Sequence, residues 1–229
     1  MKNLEMLAVV AKGLGPLKDQ VVFVGGATIE LYVKDIAAPK IRATDDVDCV
    51  VQMVTRRAYY ELEERLRSLD FKQPLGKKAP MCRWEYRGIP VDVMPTEGEI
   101  LNFTNRWYTD GYKHAEKALL PDRQEIAIFS LPYLLASKIE AFEDRGRGDF
   151  MGSTDMEDLI AVLDGAPDAK DKIRQAPPAV RTYLKSKFAK FLKQPEFLEA
   201  LTGHLQSPQG TGGRVENVRE LLNAVAGEI

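Results

Sequence analysis

The chain has 229 residues, 45% of them hydrophobic, enough for one sizeable core or for one domain with a smaller appended one. Its net charge of -2 excludes nucleic-acid binding through a global basic field and leaves only a local basic face. Two cysteines and two histidines without ligand spacing argue against a disulfide framework and a zinc site. No apolar run approaches the roughly 18 residues of a membrane span, and a signal-peptide cleavage site is lacking. We therefore expect a cytoplasmic protein with no membrane partner.

The first half of the chain is predicted to alternate helices and short strands. In chain order the elements are helix 4–14, strand 21–24, helix 27–33, strand 47–53, helix 56–69, strands 81–86 and 89–94, and strand 125–129. Glycine and proline separate them: Gly15-Pro16 ends the first helix, and Arg87-Gly88 joins two strands. Residues 99–120 are ambiguous.

From Ser130 onward the strand signal disappears and helical periodicity takes its place. Helices are predicted over 131–145, 155–163, 168–175, 179–192, 195–204 and 215–226. The stretch SPQGTGG, residues 207–213, is typical of a flexible connector. The pattern indicates an α/β half over residues 1–130 and a helical half over residues 131–229.

Three aspartates stand among apolar residues in the predicted strands. Because side chains alternate along a strand, Asp46 and Asp48 share one face, away from their buried neighbours, and Asp92 lies in a later strand. Carboxylates held this close repel each other unless a cation lies among them. Mg²⁺ or Mn²⁺ suits that place, because these ions take carboxylate oxygens together with phosphates. Asp92 is then either a metal ligand or the base for an attacking hydroxyl.

A glycine pair stands between the first strand and the following helix. At Gly25 and Gly26, backbone N–H groups can approach phosphate oxygens without interference from a Cβ atom, and Thr28 adds a hydroxyl. Taken alone, a Gly-Gly is mostly a turn, and a D-x-D is usually a solvated strand edge. The order strand, Gly-Gly, helix, D-x-D and later aspartate favours a phosphate and metal site.

With these motifs in this order, the sequence resembles the nucleotidyltransferase superfamily. The resemblance implies an α+β nucleotidyltransferase fold, in which a small mixed β-sheet with flanking helices is followed by a C-terminal helical bundle. It implies a catalytic domain over residues 1–130 and a helical domain over residues 131–229 that completes the nucleotide site. The expected reaction moves a nucleoside monophosphate from an NTP to an acceptor and releases pyrophosphate, with Mg²⁺ or Mn²⁺ held by Asp46, Asp48 and Asp92.

One stretch resembles a narrower branch of that superfamily. The run IRATDDVD, residues 41–48, is similar to the R-x-T-x-D-x-D form of the bacterial AbiEii and MenT-like toxins. On this resemblance Arg42 and Thr44 bind the nucleotide. The interval between Gly26 and Asp46 is longer than in the compact antibiotic-modifying relatives.

A second stretch, residues 134–165, resembles the same branch, with a lysine-to-arginine helix before an aspartate-containing one. The resemblance implies that Lys138 and Asp155 are catalytic and that Arg145 and Asp158 bind the nucleotide. Lys138 and Arg145 are two helical turns apart, which places both cations on one face. A solvated amphipathic helix with Lys138 exposed is the alternative, and helix capping alone could explain the aspartates.

The branch resemblance implies the toxin of a toxin–antitoxin pair that nucleotidylates RNA, such as the 3′ end of tRNA. Its partners would be an NTP, that RNA and a cognate antitoxin protein. Nucleotidylation of a small molecule or a protein stays open, as does a non-catalytic nucleotide-binding module. In the predicted helix 179–192, Leu184 and Phe188 form an apolar stripe, which favours a core-packed helix with a basic outer face over an RNA-gripping one.

Overall fold

The computed structural model describes residues 1–53, 55–74, 80–101, 105–206 and 212–227. The chain divides into two compact units. The N-terminal unit consists of Met1–Thr28 and Ala43–Ser130, and the C-terminal unit consists of Ile29–Arg42 and Leu131–Ile229. The segment Ile29–Arg42 therefore packs with the helical half, although in the sequence it lies within the α/β half.

The N-terminal unit is built on one mixed sheet. Its described strands are β1 (Val21–Val24), β2 (Val47–Val51), β3 (Arg83–Tyr86), β4 (Ile89–Pro95), β5 (Glu116–Leu119) and β6 (Glu125–Ile128). They lie in the order β3-β4-β2-β1-β6-β5. Strands β2 and β4 are parallel, as are β1 and β6, whereas the other neighbouring pairs are antiparallel. The predicted α+β class with a small mixed sheet is confirmed.

Four described α-helices accompany this sheet: α1 (Asn3–Leu14), α2 (Arg56–Ser68), α3 (Gly98–Leu101) and α4 (Tyr108–Lys113). Helix α2 begins where the Thr55 hydroxyl accepts a hydrogen bond from the Ala58 amide at 3.1 Å, and it buries its apolar stripe. The ambiguous stretch 99–120 contains α4 and β5, and residues 102–104 lie outside the described residues.

The helix predicted over 27–33 is present, and it is a 3-10 helix. Residues Gly26–Leu31 form a 3-10 helix, in which the Thr28 amide donates to the Gly25 carbonyl and the Tyr32 amide donates to the Ile29 carbonyl. Bonds between residues three apart define this tighter helix. The short run of apolar residues at helical spacing predicted a helix, but it could not distinguish the two kinds.

The C-terminal unit is helical, as predicted. It contains α5 (Leu131–Arg145), α6 (Thr154–Gly165), α7 (Ala169–Gln175), α8 (Pro178–Phe191), α9 (Pro195–His204) and α10 (Arg214–Gly227). Helix α8 buries Leu184 and Phe188, so the core-packed interpretation of this helix is confirmed. Most of the predicted connector 207–213 lies outside the described residues. None of the helices within the described ranges has the length and apolar character that a bilayer crossing would need.

Two sets of contacts hold the segment Ile29–Arg42 within the C-terminal unit. The amides of Lys34 and Asp35 both donate to the carbonyl of Gly165, at 2.7 and 3.2 Å. Arg214 of α10 then forms ion pairs with Asp35 and Asp164, each at 2.6 Å. These bonds explain why Ile29–Arg42 belongs to the C-terminal unit.

Candidate functional site

The three predicted carboxylates lie together in the N-terminal unit. The parallel register of β2 and β4 places Asp48 directly beside Asp92, and Asp46 immediately precedes β2. One carboxylate oxygen from each residue lies within 4.8 Å of the others, and all three side chains are partly exposed. Their apolar neighbours Val47 and Cys49 are fully buried, as strand alternation requires. The predicted convergence of these aspartates is confirmed.

This carboxylate cluster fits a divalent cation. Hard cations such as Mg²⁺ take carboxylate oxygens and keep several waters or phosphate oxygens as their other ligands. Three oxygen donors this close together, on side chains that solvent still reaches, match that requirement. The identity of the metal as Mg²⁺ or Mn²⁺ stays a prediction.

Gly25 is required by the position of Asp48. Its φ is +77°, and a Cβ atom placed there would lie 2.0 Å from Oδ2 of Asp48. Any other residue would therefore meet the carboxylate directly. The approach of a phosphate to this glycine stays a prediction, and the group that lies beside Gly25 in the structure is the Asp48 carboxylate.

The rest of the glycine turn differs from the expectation. The Thr28 side chain is fully buried, and its hydroxyl donates to the Gly25 carbonyl at 2.9 Å, so it closes the turn. Gly26 begins a 3-10 helix of only six residues, and its macrodipole is correspondingly small. Nucleotide contacts by Gly25, Gly26 and Thr28 stay predictions, and backbone N–H groups are the feature that supports them.

Sequence reasoning missed Arg83, which contacts two members of the cluster. It lies opposite Asp92 in the β3–β4 hairpin and forms a fork, with Nε 2.8 Å from Oδ1 and Nη2 2.6 Å from Oδ2 of Asp92. Nη2 also lies 3.2 Å from Oδ2 of Asp46. The hydrogen bonds to Asp92 raise the pKa of the Arg83 guanidinium, so it stays charged. The predicted two-residue turn at Arg87-Gly88 already places Arg83 opposite Asp92, so a signal was available.

Thr44, a predicted nucleotide ligand, instead contacts the cluster. Its hydroxyl donates to Oδ1 of Asp46 at 2.9 Å, and its amide donates to the Asn3 side chain at 3.2 Å. These two bonds hold Thr44 against α1 and beside the Asp46 carboxylate. Thr44 therefore orients a carboxylate of the cluster, whereas contact with a nucleotide stays a prediction.

Five predicted residues meet in one ion-pair network within the C-terminal unit. Lys138 Nζ lies 3.1 Å from Oδ1 of Asp155 and 2.6 Å from Oδ2 of Asp158. Arg145 forms a fork on Asp155 at 2.8 and 3.0 Å, and Arg42 forms one on Asp158 with both distances 2.9 Å. Lys138 and both aspartates are buried. The alternative of a solvated helix with Lys138 exposed is therefore wrong.

Opposite charges keep Lys138 and Asp155 ionised despite burial. Burial lowers the pKa of Lys138, but Asp158 and Asp155 together outweigh it, and the pKa is raised overall. Burial likewise raises the pKa of Asp155, but Lys138 and Arg145 outweigh it, and that pKa is lowered overall. Within the network, two carboxylates are paired with three basic side chains. Its predicted catalytic and nucleotide-binding roles stay predictions.

The sequence matches no family model and no curated protein. Solved structures do match, among them the solution structure of the antibiotic-resistance factor ANT(2'')-Ia, an aminoglycoside nucleotidyltransferase. That match has a TM-score of 0.51 at 13% sequence identity and covers 84% of this chain and 97% of the other. At this identity the likeness concerns the fold. The chain has a nucleotidyltransferase fold with helices at its C-terminal end, as the sequence predicted.

Proposed function

We propose that the protein is a metal-dependent nucleotidyltransferase, which moves a nucleoside monophosphate from an NTP to an acceptor and releases pyrophosphate. The observation that carries the proposal is the convergence of Asp46, Asp48 and Asp92 within 4.8 Å on neighbouring strands of a nucleotidyltransferase fold. A solvated strand edge would not bring three carboxylates from two strands to one point. The non-catalytic module is disfavoured because all three positions keep a metal-binding carboxylate.

In the proposed reaction, the acceptor oxygen forms a bond to the α-phosphorus while the bond from that phosphorus to the oxygen bridging to the β-phosphate breaks. Pyrophosphate leaves with that oxygen. A divalent cation, when bound, neutralises the triphosphate charge and lowers the pKa of the attacking hydroxyl. Asp46, Asp48 and Asp92 would hold it. Both oxygens of Asp92 already accept hydrogen bonds from Arg83, which disfavours Asp92 as the acceptor of the hydroxyl proton. We therefore assign Asp92 as a metal ligand, and the acceptor proton passes to water.

The proposed acceptor is RNA, with the 3′ end of tRNA as the first candidate. The resemblance of residues 41–48 and 134–165 to AbiEii and MenT-like toxins supports it, and a cognate antitoxin would then be the protein partner. A small hydroxyl compound is the second candidate. The fold likeness to the antibiotic-resistance factor ANT(2'')-Ia favours that one.

The proposal is tested by incubating the protein with each α-labelled NTP, Mg²⁺ and total bacterial RNA, and resolving RNA, protein and small-molecule products. Asp46→Asn should abolish labelling. Asp45→Asn is the matched control, because Asp45 is the adjacent aspartate and is exposed. Label in tRNA-sized RNA that Asp46→Asn loses and Asp45→Asn keeps supports the toxin-like function. The reaction is repeated with an extract of bacterial small molecules added. Label only in a small molecule or in protein moves the acceptor there, and no label with any NTP in either reaction refutes the transferase.

A further inference from the structure

Arg83 is a built-in cation of the carboxylate cluster. Its fork covers both oxygens of Asp92, and its Nη2 also reaches Asp46, so one guanidinium joins two of the three carboxylates. The side chain is about one-third exposed, as is that of Asp46, whereas Asp92 is 13% exposed. Such a fork between planar groups is stronger and more directional than a lysine contact. The position is set by the backbone, because Arg83 and Asp92 are paired across the β3–β4 hairpin.

A cation in this place has two opposite electrostatic effects. Without a metal, the guanidinium offsets the repulsion among three neighbouring carboxylates and so stabilises the folded protein. With a metal, the same charge repels the incoming ion and competes with it for oxygens of Asp92 and Asp46. A unit charge about 5 Å from a divalent ion, at a dielectric near that of water, weakens its binding roughly tenfold.

We propose that Arg83 is the resident counter-ion of the carboxylate cluster, which stabilises the metal-free protein and holds the cluster's affinity for divalent cations below what three carboxylates alone would give. This inference rests on the proposed metal-dependent function. Arg83 makes metal binding weak in the protein alone, and the phosphate oxygens of a bound NTP then supply the remaining affinity for the metal.

The test compares Arg83→Met with the wild type in two measurements, Mn²⁺ binding followed by electron paramagnetic resonance and thermal unfolding in chelator. The variant should bind Mn²⁺ about tenfold more tightly and unfold at a lower temperature when metal is absent. Lys117→Met is the matched control. Lys117 pairs with Glu125 at 3.4 Å across another antiparallel strand pair, at the opposite edge of the same sheet, and should change neither quantity.

Two more variants distinguish a failure of the counter-ion inference from a failure of the proposed metal site. Arg83→Lys keeps the charge without the fork, so its Mn²⁺ affinity should lie between those of the wild type and Arg83→Met. If Arg83→Met does not fold, the comparison of Arg83→Lys with the wild type is the test. Unchanged or weaker Mn²⁺ binding in the Arg83 variants overturns the counter-ion inference, because Arg83 would then be neutral or would position the ligands. Asp46→Asn tests the site itself. If wild type and Asp46→Asn bind Mn²⁺ equally poorly, the proposed metal site fails, and the counter-ion inference fails with it.

Discussion

Replacing Gly25 by alanine should displace the Asp48 carboxylate from the cluster and destabilise the folded protein. The added Cβ would lie 2.0 Å from Oδ2 and 2.9 Å from Cγ of Asp48. Ordinary contact needs roughly 3.5 Å, so the carboxylate must move by about 1.5 Å. The positive φ of +77° costs about 1–2 kcal/mol for a residue with a Cβ atom, and relieving the overlap costs about 1–3 kcal/mol more. We expect a loss of about 3 kcal/mol in the free energy of unfolding.

Gly88 provides a control with the same backbone strain and no overlap. Its φ is also +77°, but a Cβ atom there would meet nothing within 4 Å. Gly88→Ala should therefore lose only the strain of about 1–2 kcal/mol. The difference between the two variants, measured by urea unfolding, isolates the overlap with Asp48. Because the carboxylate is displaced, Gly25→Ala should also lose Mn²⁺ binding, whereas Gly88→Ala should keep it.

A double-mutant cycle identifies the atom responsible. Asp48→Ala removes Oδ2 and Cγ and leaves Cβ of residue 48 at 3.0 Å from the new Cβ. In that background Gly25→Ala should cost less than it does with Asp48 present, but still more than Gly88→Ala, because the 3.0 Å contact between the two Cβ atoms remains. Equal destabilisation by Gly25→Ala and Gly88→Ala, or wild-type Mn²⁺ binding by Gly25→Ala, would contradict a steric overlap with Asp48.

Three further predictions concern buried ionisable groups. Lys138→Met should lower the free energy of unfolding, measured in urea, by about 3–5 kcal/mol, because it leaves two buried carboxylates with fewer partners. Lys190 is exposed, so the control Lys190→Met should change that free energy little. Asp155 has a pKa below its ordinary 3.8, so its contribution to stability is complete above about pH 4 and is lost as the pH falls further; acid unfolding of Asp155→Asn should lack this step. Burial raises the pKa of the Cys82 thiol to about 12 and that of Cys49 further, so iodoacetamide at pH 8 should label neither until the protein unfolds; rapid labelling of the folded protein would contradict the burial.

Most of the fold could be predicted because its signals are local. The apolar run around Asp48 in Val47–Val51 and the apolar spacing in α5 to α10 are typical of a strand and of helices, and glycine or proline marks their ends. Where the local signal is short, the sequence left the structure open. The six residues after Gly25 indicated a helix without showing that it is a 3-10 helix, and β5 has no buried side chain to produce alternation.

Within the candidate site, predictability depended on the distance along the chain between partners. Asp46 and Asp48 share a face through strand geometry alone, so their proximity followed from the sequence. The pairing of Arg42 with Asp158 joins residues 116 positions apart, and no periodicity encodes which buried carboxylate a distant arginine will meet. The resemblance predicted roles for these residues, but it could not show that Arg42 and Lys138 share one aspartate.

The glycine and aspartate motifs, which the sequence presents as separate features, form one steric unit. Val24 pairs with Asp48 across β1 and β2, so Gly25 follows the residue directly opposite the carboxylate. Asp48 can occupy its place in the cluster only if position 25 has no Cβ atom. A glycine is therefore required here even if no phosphate approaches the turn, and its presence alone is weak support for nucleotide binding. Because a Cβ atom at position 25 would meet the Asp48 carboxylate, the glycine instead supports the placement of Asp48 in the cluster with Asp46 and Asp92.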